Sequence, residues 1–455
     1  MRALQTLLLI GLSSLVATTR AHAENRPSAT QSDFRQIVQS AKDKVFPAVV
    51  FIKCIRESME RGKKISQEVS GSGVIISAEG DVLTNWHVID KAVEVRCLLF
   101  DGRAMNATIL GSDKDTDLGL LKLTPEEDAK LPFASLGDSE VLREGDFVMA
   151  MGAPWGLNRS VSIGIIACSR RFIPSHSEYS HWLQTDASIS PGNSGGPLVN
   201  TDGQVIGINA LANMSGGDMG FAIPSVTIAQ LVPQLRSSGC VNWSWTGLQL
   251  QPLRDFNRNI YFDASDGVIV AETDPESPAR RAGIEGRDRI IRVNGEPITA
   301  ATEEDLPEVR RRLGMLPKGE VARFDIARGG ESITLEVTPR VKGKVEGEEL
   351  DCPRWDLTVK AINQFDNPEL FFYRKVGVFV FGVKYPGNAS NAGLNEQDIL
   401  LKVGETKVET LDDVRAAHKA SLEIEKGSMR TVITVLRQGL LRQVVLDYSR
   451  DFEKE

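Results

Sequence analysis

The chain has 455 residues, with 53 Lys and Arg against 61 Asp and Glu, a formal net charge of −8 and 41% hydrophobic residues. This balance excludes a disordered or collagen-like chain and leaves room for roughly two to four domains. The acidic excess argues against nucleic acid as a partner, because phosphate binding draws its affinity from clustered Lys and Arg.

Residues 1–23 read as a cleaved export signal: Arg2 supplies the charge, Leu4 to Ala17 is largely apolar, and Ala21-His22-Ala23 offers small residues before Glu24. No later apolar run reaches the length of a membrane span, so no transmembrane anchor is expected. Residues 24–45 form an N-terminal arm and helix. Phe34, Ile37, Val38 and Ala41 recur at helical spacing there, with Ser32 as cap and Pro47 as stop.

From Ala48 to about Leu211 the sequence turns to short β-branched runs: Ala48–Cys54, Gly73–Ser77, Val93–Phe100 and Leu118–Leu123. The dipeptides Gly80-Asp81, Asp101-Gly102 and Asp202-Gly203 separate such runs as hairpin turns do, which predicts β-barrels or a sandwich. Ile55 to Ser70 reads as a connection, and Ser225 to Leu235 as a closing helix despite Pro233. This unit covers residues 46–236.

The C-terminal half contains a repeat: Gly267 to Ile298 aligns without a gap on Gly377 to Val408. A period that long predicts two copies of a whole domain, at residues 245–340 and 352–450. The polar residues 341–351 between them read as an exposed linker, and the acidic run Glu303 to Glu308 as a solvated surface.

Five cysteines, Cys54, Cys97, Cys168, Cys240 and Cys352, are scattered and odd in number, so no disulfide framework is expected; a Cys54–Cys97 bridge is conceivable if their strands are neighbours. No Cys-x-x-Cys or His-Glu-x-x-His pattern occurs, and neither metal nor organic cofactor is expected.

The chemistry points to Gln184–Asn200, QTDASISPGNSGGPLVN. Glycines around Ser194 suit a nucleophile, since Gly192 can turn its N–H toward a developing oxyanion, while Gly195 and Gly196 keep Cβ atoms out of a substrate's path. Alone, the motif also fits a Gly-rich hairpin with an idle serine. A serine hydroxyl needs a base. Of five histidines, His22 falls in the signal, His418 in the second repeat, and His176 and His181 in a polar connection, which leaves His87 at a strand end in Thr84–Val88. A carboxylate must orient its ring. Asp113, Asp115 and Asp117 all precede the run Leu118–Leu123; Asp117 adjoins it, and Asp115 is the alternative.

Together, TNWHV at 84–88, TDLGLL at 116–121, the Ser194 segment and GFAIP at 220–224 strongly resemble the HtrA, or Do-like, serine proteases. The resemblance implies a chymotrypsin-like double β-barrel followed by two PDZ domains, and covers nearly the whole chain after the signal. Carried over, His87 would be the general base, Asp117 its orienter and Ser194 the nucleophile, with the N–H groups of Gly192 and Ser194 as oxyanion hole. Ser188 to Asn193 and Ile208 to Met214 would be mobile activation and specificity loops. The primary pocket would have its floor near Ser188 and walls of Ile208, Ala210 and Leu211, favouring a small aliphatic residue; Asp186 would be structural. Trp245-Thr246-Gly247-Leu248 resembles the carboxylate loop of the first PDZ copy, whereas no clear loop precedes Gly377 in the second.

The resemblance further implies an exported, periplasmic, ATP-independent serine endopeptidase that degrades unfolded or damaged proteins and binds peptide C-termini, assembled as a homotrimer or larger. Two rivals are a chaperone or PDZ scaffold with secondary proteolysis, and a regulatory protease that cuts one signalling partner.

Overall fold

The computed structural model describes residues 34–124, 130–154, 159–212, 219–254, 264–423 and 429–452. Residues 1–23, Ser32 and Met214 lie outside them. Helix α1 (Phe34–Val45) buries Ala41 and Val45, and Lys44 Nζ donates to the Asp202 carbonyl at 3.0 Å.

Six strands then close the first barrel: β1 (Val49–Glu60), β2 (Lys63–Ile75), β3 (Asp81–Asn85), β4 (Ala92–Leu98), β5 (Ala104–Asp113) and β6 (Leu118–Leu123), in the order β1-β2-β3-β6-β5-β4. A second barrel closes in the order β10-β11-β12-β9-β8-β7, from β7 (Phe147–Gly152), β8 (Ser160–Arg171), β9 (Trp182–Thr185), β10 (Pro197–Asn200), β11 (Val205–Ala212) and β12 (Gly220–Pro224). The short helix α2 (Trp86–Ile89) leaves β3, and α3 (Ser225–Ser238) runs through Pro233 to a left-handed Gly239. Closure removes exposed sheet edges and sends alternate side chains inward. One apolar core joins Ile52, Val74 and Leu120 of the first barrel with Met151, Ile208 and Ile223 of the second. The two barrels therefore pack on each other through a common core.

The Ile55–Ser70 connection proves to be strand. The β1–β2 ladder runs unbroken from Val49↔Val74 to Glu60↔Lys63 and turns at Arg61 and Gly62, both at positive φ. Its outer half is polar on both faces, which hid the period-two signal in the sequence.

The first repeat holds β13 (Ser244–Trp245), β14 (Leu248–Gln251), β15 (Val268–Thr273), β16 (Arg289–Val293), β17 (Glu296–Pro297), β18 (Ala322–Arg328), β19 (Glu331–Val337) and β20 (Arg340–Val341), with helices α4 (Pro278–Arg281) and α5 (Leu306–Gly314). Its main sheet runs β14-β15-β16-β18-β19. The second repeat holds β21 (Glu349–Cys352), β22 (Leu357–Ala361), β23 (Val378–Val383), β24 (Ile399–Val403), β25 (Thr406–Lys407), β26 (Arg430–Arg437) and β27 (Leu440–Asp447), with α6 (Pro368–Tyr373), α7 (Asn388–Ala392) and α8 (Leu411–Leu422). Its sheet runs β21-β22-β23-β24-β26-β27, the same path with one strand added at the edge. Each repeat has its own core: Phe324 and Ile326 centre the first, Val380 and Val435 the second.

Residues 341–351 are not an exposed linker. Lys342 Nζ lies 2.9 Å from Asp115 Oδ2 with its side chain 8% exposed, Glu346 pairs with Lys114, and Glu349 pairs with Lys91 at 2.7 Å. Lys342, Glu346 and Glu349 thus pair with charges on the first barrel, while Lys344 and Glu348 pair with each other in solvent. Glu303, Glu304 and Glu308 of the acidic run are exposed, as expected of a solvated surface, and the run also touches the protease unit. The Glu304 carbonyl lies 2.5 Å from His181 Nε2, and Glu308 pairs with Arg170 at 3.0 Å.

All five cysteines are free thiols. Strands β1 and β4 are neighbours, but their register sets Cys54 opposite Val95 and Cys97 opposite Ile52, so the two cysteines are diagonal rather than paired. Diagonal Cα separations exceed what a disulfide spans. Burial pushes the Cys54 thiol up to about 11 and Cys97 up to about 12, which leaves both inert.

Candidate active site

His87 sits in the first turn of α2, where β3 ends at the barrel rim. Asp117 closes the β5–β6 turn in a left-handed conformation, φ 57°, that aims its carboxylate back at α2. His87 Nδ1 lies 2.8 Å from Asp117 Oδ2 and 3.0 Å from Oδ1, and the His87 backbone N–H donates to Oδ1 at 3.0 Å. The Asp117 carbonyl in turn accepts from Trp86 N–H at 2.9 Å and from Asn85 Nδ2 at 3.3 Å. A carboxylate on Nδ1 places the ring proton there and frees Nε2 as an acceptor.

The three aspartates of this turn do different work. Asp113 is buried; it accepts from Thr116 N–H at 3.0 Å, Thr116 Oγ1 at 2.6 Å and Trp243 Nε1 at 2.9 Å. Burial and the neighbouring Asp115 charge raise its pKa to about 6. Asp115 faces outward to Lys342. Only Asp117 reaches His87, so the Asp115 alternative falls away on geometry.

Ser194 lies on the β9–β10 connection of the second barrel. A Cβ on Gly71 would come within 2.8 Å of Val88 and 3.1 Å of the Ser194 carbonyl, so α2 and the Ser194 loop meet over one glycine. Ser194 Oγ donates to the Ala210 carbonyl at 3.3 Å and, among the described residues, makes no hydrogen bond to His87. Gly192 and Gly195 adopt φ of 99° and 85°, which only glycine takes readily. The crowding around the other glycines is internal rather than on the substrate side. A Cβ on Gly195 would strike the Ser72 carbonyl and Thr84 Oγ1, and one on Gly196 the Met151 carbonyl. Among the described residues, neither the Gly192 nor the Ser194 N–H has a protein acceptor.

Residues 71–208 match the family described as trypsin-like peptidase domain, and residues 246–338 match the PDZ domain family. A probable periplasmic serine endoprotease, DegP-like, from Halomonas elongata is 37% identical over 75% of this chain and 71% of its own length. The protein of the same description from Chlamydia trachomatis is 32% identical over 83% of this chain and 74% of its own. Among solved structures, the HtrA-type protease AlgW with tripeptide aligns at TM-score 0.59 and 31% identity, over 67% of this chain and 97% of that one. The chain belongs to the HtrA family of DegP-like serine endoproteases. It is a serine endopeptidase with a chymotrypsin-like double barrel and PDZ domains.

Against this HtrA framework the remaining sequence expectations sort by geometry. Ser188 is exposed, and its carbonyl accepts from Ser162 Oγ at 2.6 Å; Ser162 carried no signal in the sequence. Near the end of β11, Ala210 is 4% exposed and its carbonyl accepts from Ser194 Oγ, and Leu211 after it is half-buried. Ile208 does not line an accessible wall. It is 0% exposed, because β11 is buried without a break from Val205 to Ala210 and Ile208 joins the core shared by both barrels. Asp186 Oδ1 accepts from Ile165 N–H at 2.7 Å, a strand-to-strand tie.

In the first PDZ copy, Trp245, Thr246 and Gly247 are buried and lead into β14 at Leu248, with Gly247 at φ 73°. The Thr246 carbonyl accepts from Ala279 N–H at 3.0 Å and the Gly247 carbonyl from Asp274 N–H at 2.8 Å. Arg340 stacks 4.1 Å from the Trp245 ring centre. A cleft of about 790 Å³ opens at this loop, bordered by Tyr179, Leu248, Lys342 and Phe365. The second copy does have a counterpart loop, Arg354–Leu357. The pairings Leu248↔Thr273 and Gln249↔Glu272 recur as Leu357↔Val383 and Thr358↔Gly382. Asp356 at φ 55° stands where Gly247 does. The sequence obscured it because the spacing between loop and repeat changes by one residue.

Proposed function

We propose that His87, Asp117 and Ser194 form the catalytic triad of this endopeptidase, with the N–H groups of Gly192 and Ser194 as its oxyanion hole. The observation that carries this reading is the two-oxygen contact of Asp117 with His87 Nδ1, on a helix that meets the Ser194 segment over Gly71. Ser194 Oγ attacks a peptide carbonyl while His87 Nε2 takes its proton. The same imidazolium protonates the departing amine, then accepts a proton from water as it opens the acyl-enzyme. The resting bond from Ser194 to Ala210 must break first, which supports a protease gated by substrate. Once freed, the Ala210 carbonyl is available to a substrate N–H.

Ser188, Ala210 and Leu211 frame the primary pocket in this reading, and their small or aliphatic character favours a small aliphatic side chain before the scissile bond. The loop Trp245–Leu248 receives peptide C-termini by adding a strand to the edge of β14. Residues 1–23 direct export to the periplasm, where the enzyme degrades unfolded proteins as a homotrimer. The exposed Phe34 and Phe147, whose rings lie 5.0 Å apart, support association through that face.

A fluorophosphonate probe and casein test the catalytic reading. The protein should be labelled and should digest casein, and Ser194→Ala should do neither. Failure of the unsubstituted protein on both counts, with C-terminal peptides added, would refute it.

A further inference from the structure

We propose that residues Glu349–Cys352 are an intramolecular ligand of the second PDZ domain, filling its peptide groove so that external peptide ends are excluded from it. In the first copy β14 is an edge strand, and Leu248 and Leu250 of β14 border one cleft with Arg310 and Leu313 of α5. In the second copy the equivalent edge, β22, is already paired: β21 runs antiparallel along it with Glu349↔Lys360, Leu350↔Val359, Asp351↔Thr358 and Cys352↔Leu357. An external peptide adds to a PDZ edge as an antiparallel strand whose C-terminal end abuts the carboxylate loop. The segment has that direction, because Cys352 faces the first residue of β22, beside Asp356.

Its contacts are those of a bound ligand. The Cys352 side chain is 0% exposed and packs in one cluster with Leu357 of β22 and with Leu411 and Val414 of α8. The place of a terminal carboxylate is taken by the turn Pro353–Trp355. There Asp356 N–H donates to the Pro353 carbonyl at 3.1 Å, and Trp355 Nε1 donates to Ser421 Oγ of α8 at 3.0 Å. Glu349, 8% exposed at its side chain, lies 2.7 Å from Lys91 of the protease and 3.5 Å from Lys360 of β22. The segment thus ties the second PDZ domain to the first barrel, and the tip of the β1–β2 hairpin at Gly62 packs against Val383 and Lys384 of the same domain. The second copy is a clamp held shut by its own chain, and sensing of peptide ends falls to the first copy.

A photocrosslinking experiment tests this on the full chain carrying Ser194→Ala. The probe is a pool of benzophenone-bearing decapeptides with a free carboxylate and an aliphatic last residue. Crosslinks should map to β14 and α5, with yield at β22 and α8 lower by about tenfold or more, as expected when a groove is mostly occupied. Leu350→Pro, which removes a ladder N–H, and Glu349→Lys, which sets like charge against Lys91 and Lys360, should each bring the second site to comparable yield. The Glu349→Lys variant leaves the backbone ladder chemically intact, so it covers the case in which the proline variant does not fold. Comparable labelling of β22 in the parent would overturn the proposal. So would faster amide exchange of Leu357–Ala361 in either variant without new labelling there. Labelling of the first copy reads out separately: its absence would count against peptide capture at Trp245–Leu248 and leave the second-site measurement standing.

Discussion

Ser72 Oγ donates a 2.6 Å hydrogen bond to the Gly192 carbonyl. Ser72, 0% exposed at the end of β2, also donates its N–H to the Ser194 carbonyl at 2.8 Å and accepts from Ala153 N–H at 2.8 Å. The Ser72 hydroxyl and the Ser72 backbone N–H thereby hold the Gly192 and Ser194 carbonyls, one on either side of Asn193.

Ser72 is therefore a positioning residue. Ser72→Ala should lower kcat/KM about tenfold to a hundredfold, the ~1–3 kcal/mol of one buried hydrogen bond, with the loss in kcat and KM little changed. Steady-state kinetics on a short peptide and the rate of fluorophosphonate inactivation should fall together. A change confined to KM, or to thermal stability, would contradict this role.

Asp115 and Asp117 stand two positions apart and should behave differently. Asp117→Asn is expected to cost about 10⁴-fold in kcat by disturbing the His87 tautomer. Asp115→Asn instead weakens the Lys342 pair, leaves kcat within about threefold, and speeds limited proteolysis within residues 341–352. Equal losses of kcat in the two variants would show that the geometry at His87 has been misread.

Asp113 gives a pH signature. Its folded-state pKa is raised to about 6 by burial and by Asp115, so between its ordinary value and about 6 the folded protein binds the extra proton. Its contribution is fully present below the ordinary carboxylate range and is lost as pH rises through about 6. Melting temperatures of the protein and of Asp113→Asn should therefore diverge in favour of the protein as pH falls from 7 to 4, by about one to several degrees. A constant difference across that range would rule out this titration.

Phe34 and Phe147 are 41% and 53% exposed although their rings touch, an apolar patch without cover in the single chain. Phe147→Glu should shift sedimentation from trimer toward monomer and alter the stability of the isolated chain by less than about 1 kcal/mol. A protein that sediments as a monomer without the substitution would remove the trimer reading.

Local pattern made β-barrels or a sandwich, the C-terminal repeat and the candidates Ser194 and His87 legible, through short β-branched runs, turn dipeptides, glycines around one serine and few histidines, whereas the double barrel and the choice of Asp117 came from the resemblance to the HtrA family. Asp115 could be set aside only in three dimensions, where the left-handed turn at Asp117 aims one carboxylate at α2 and the other at Lys342. The β1–β2 hairpin was hidden, since both faces of its outer half are polar and its tip is covered by a domain far along the chain. Ile208 was misplaced for a related reason: its burial depends on the core that the two barrels share.

Local rules of side-chain pattern and turn chemistry thus determined the all-β character of the first unit, the repeat that follows it and the short list of candidate reactive groups. Only the folded chain decided what Ser72 holds, what the charged stretch after the first PDZ domain does, and which groove is open. Those outcomes depend on contacts between residues more than a hundred positions apart, such as Ser72 with Gly192 and Lys342 with Asp115. Such contacts leave no periodic trace in a sequence, since their energy comes from burial and charge pairing that exist only after the domains have docked.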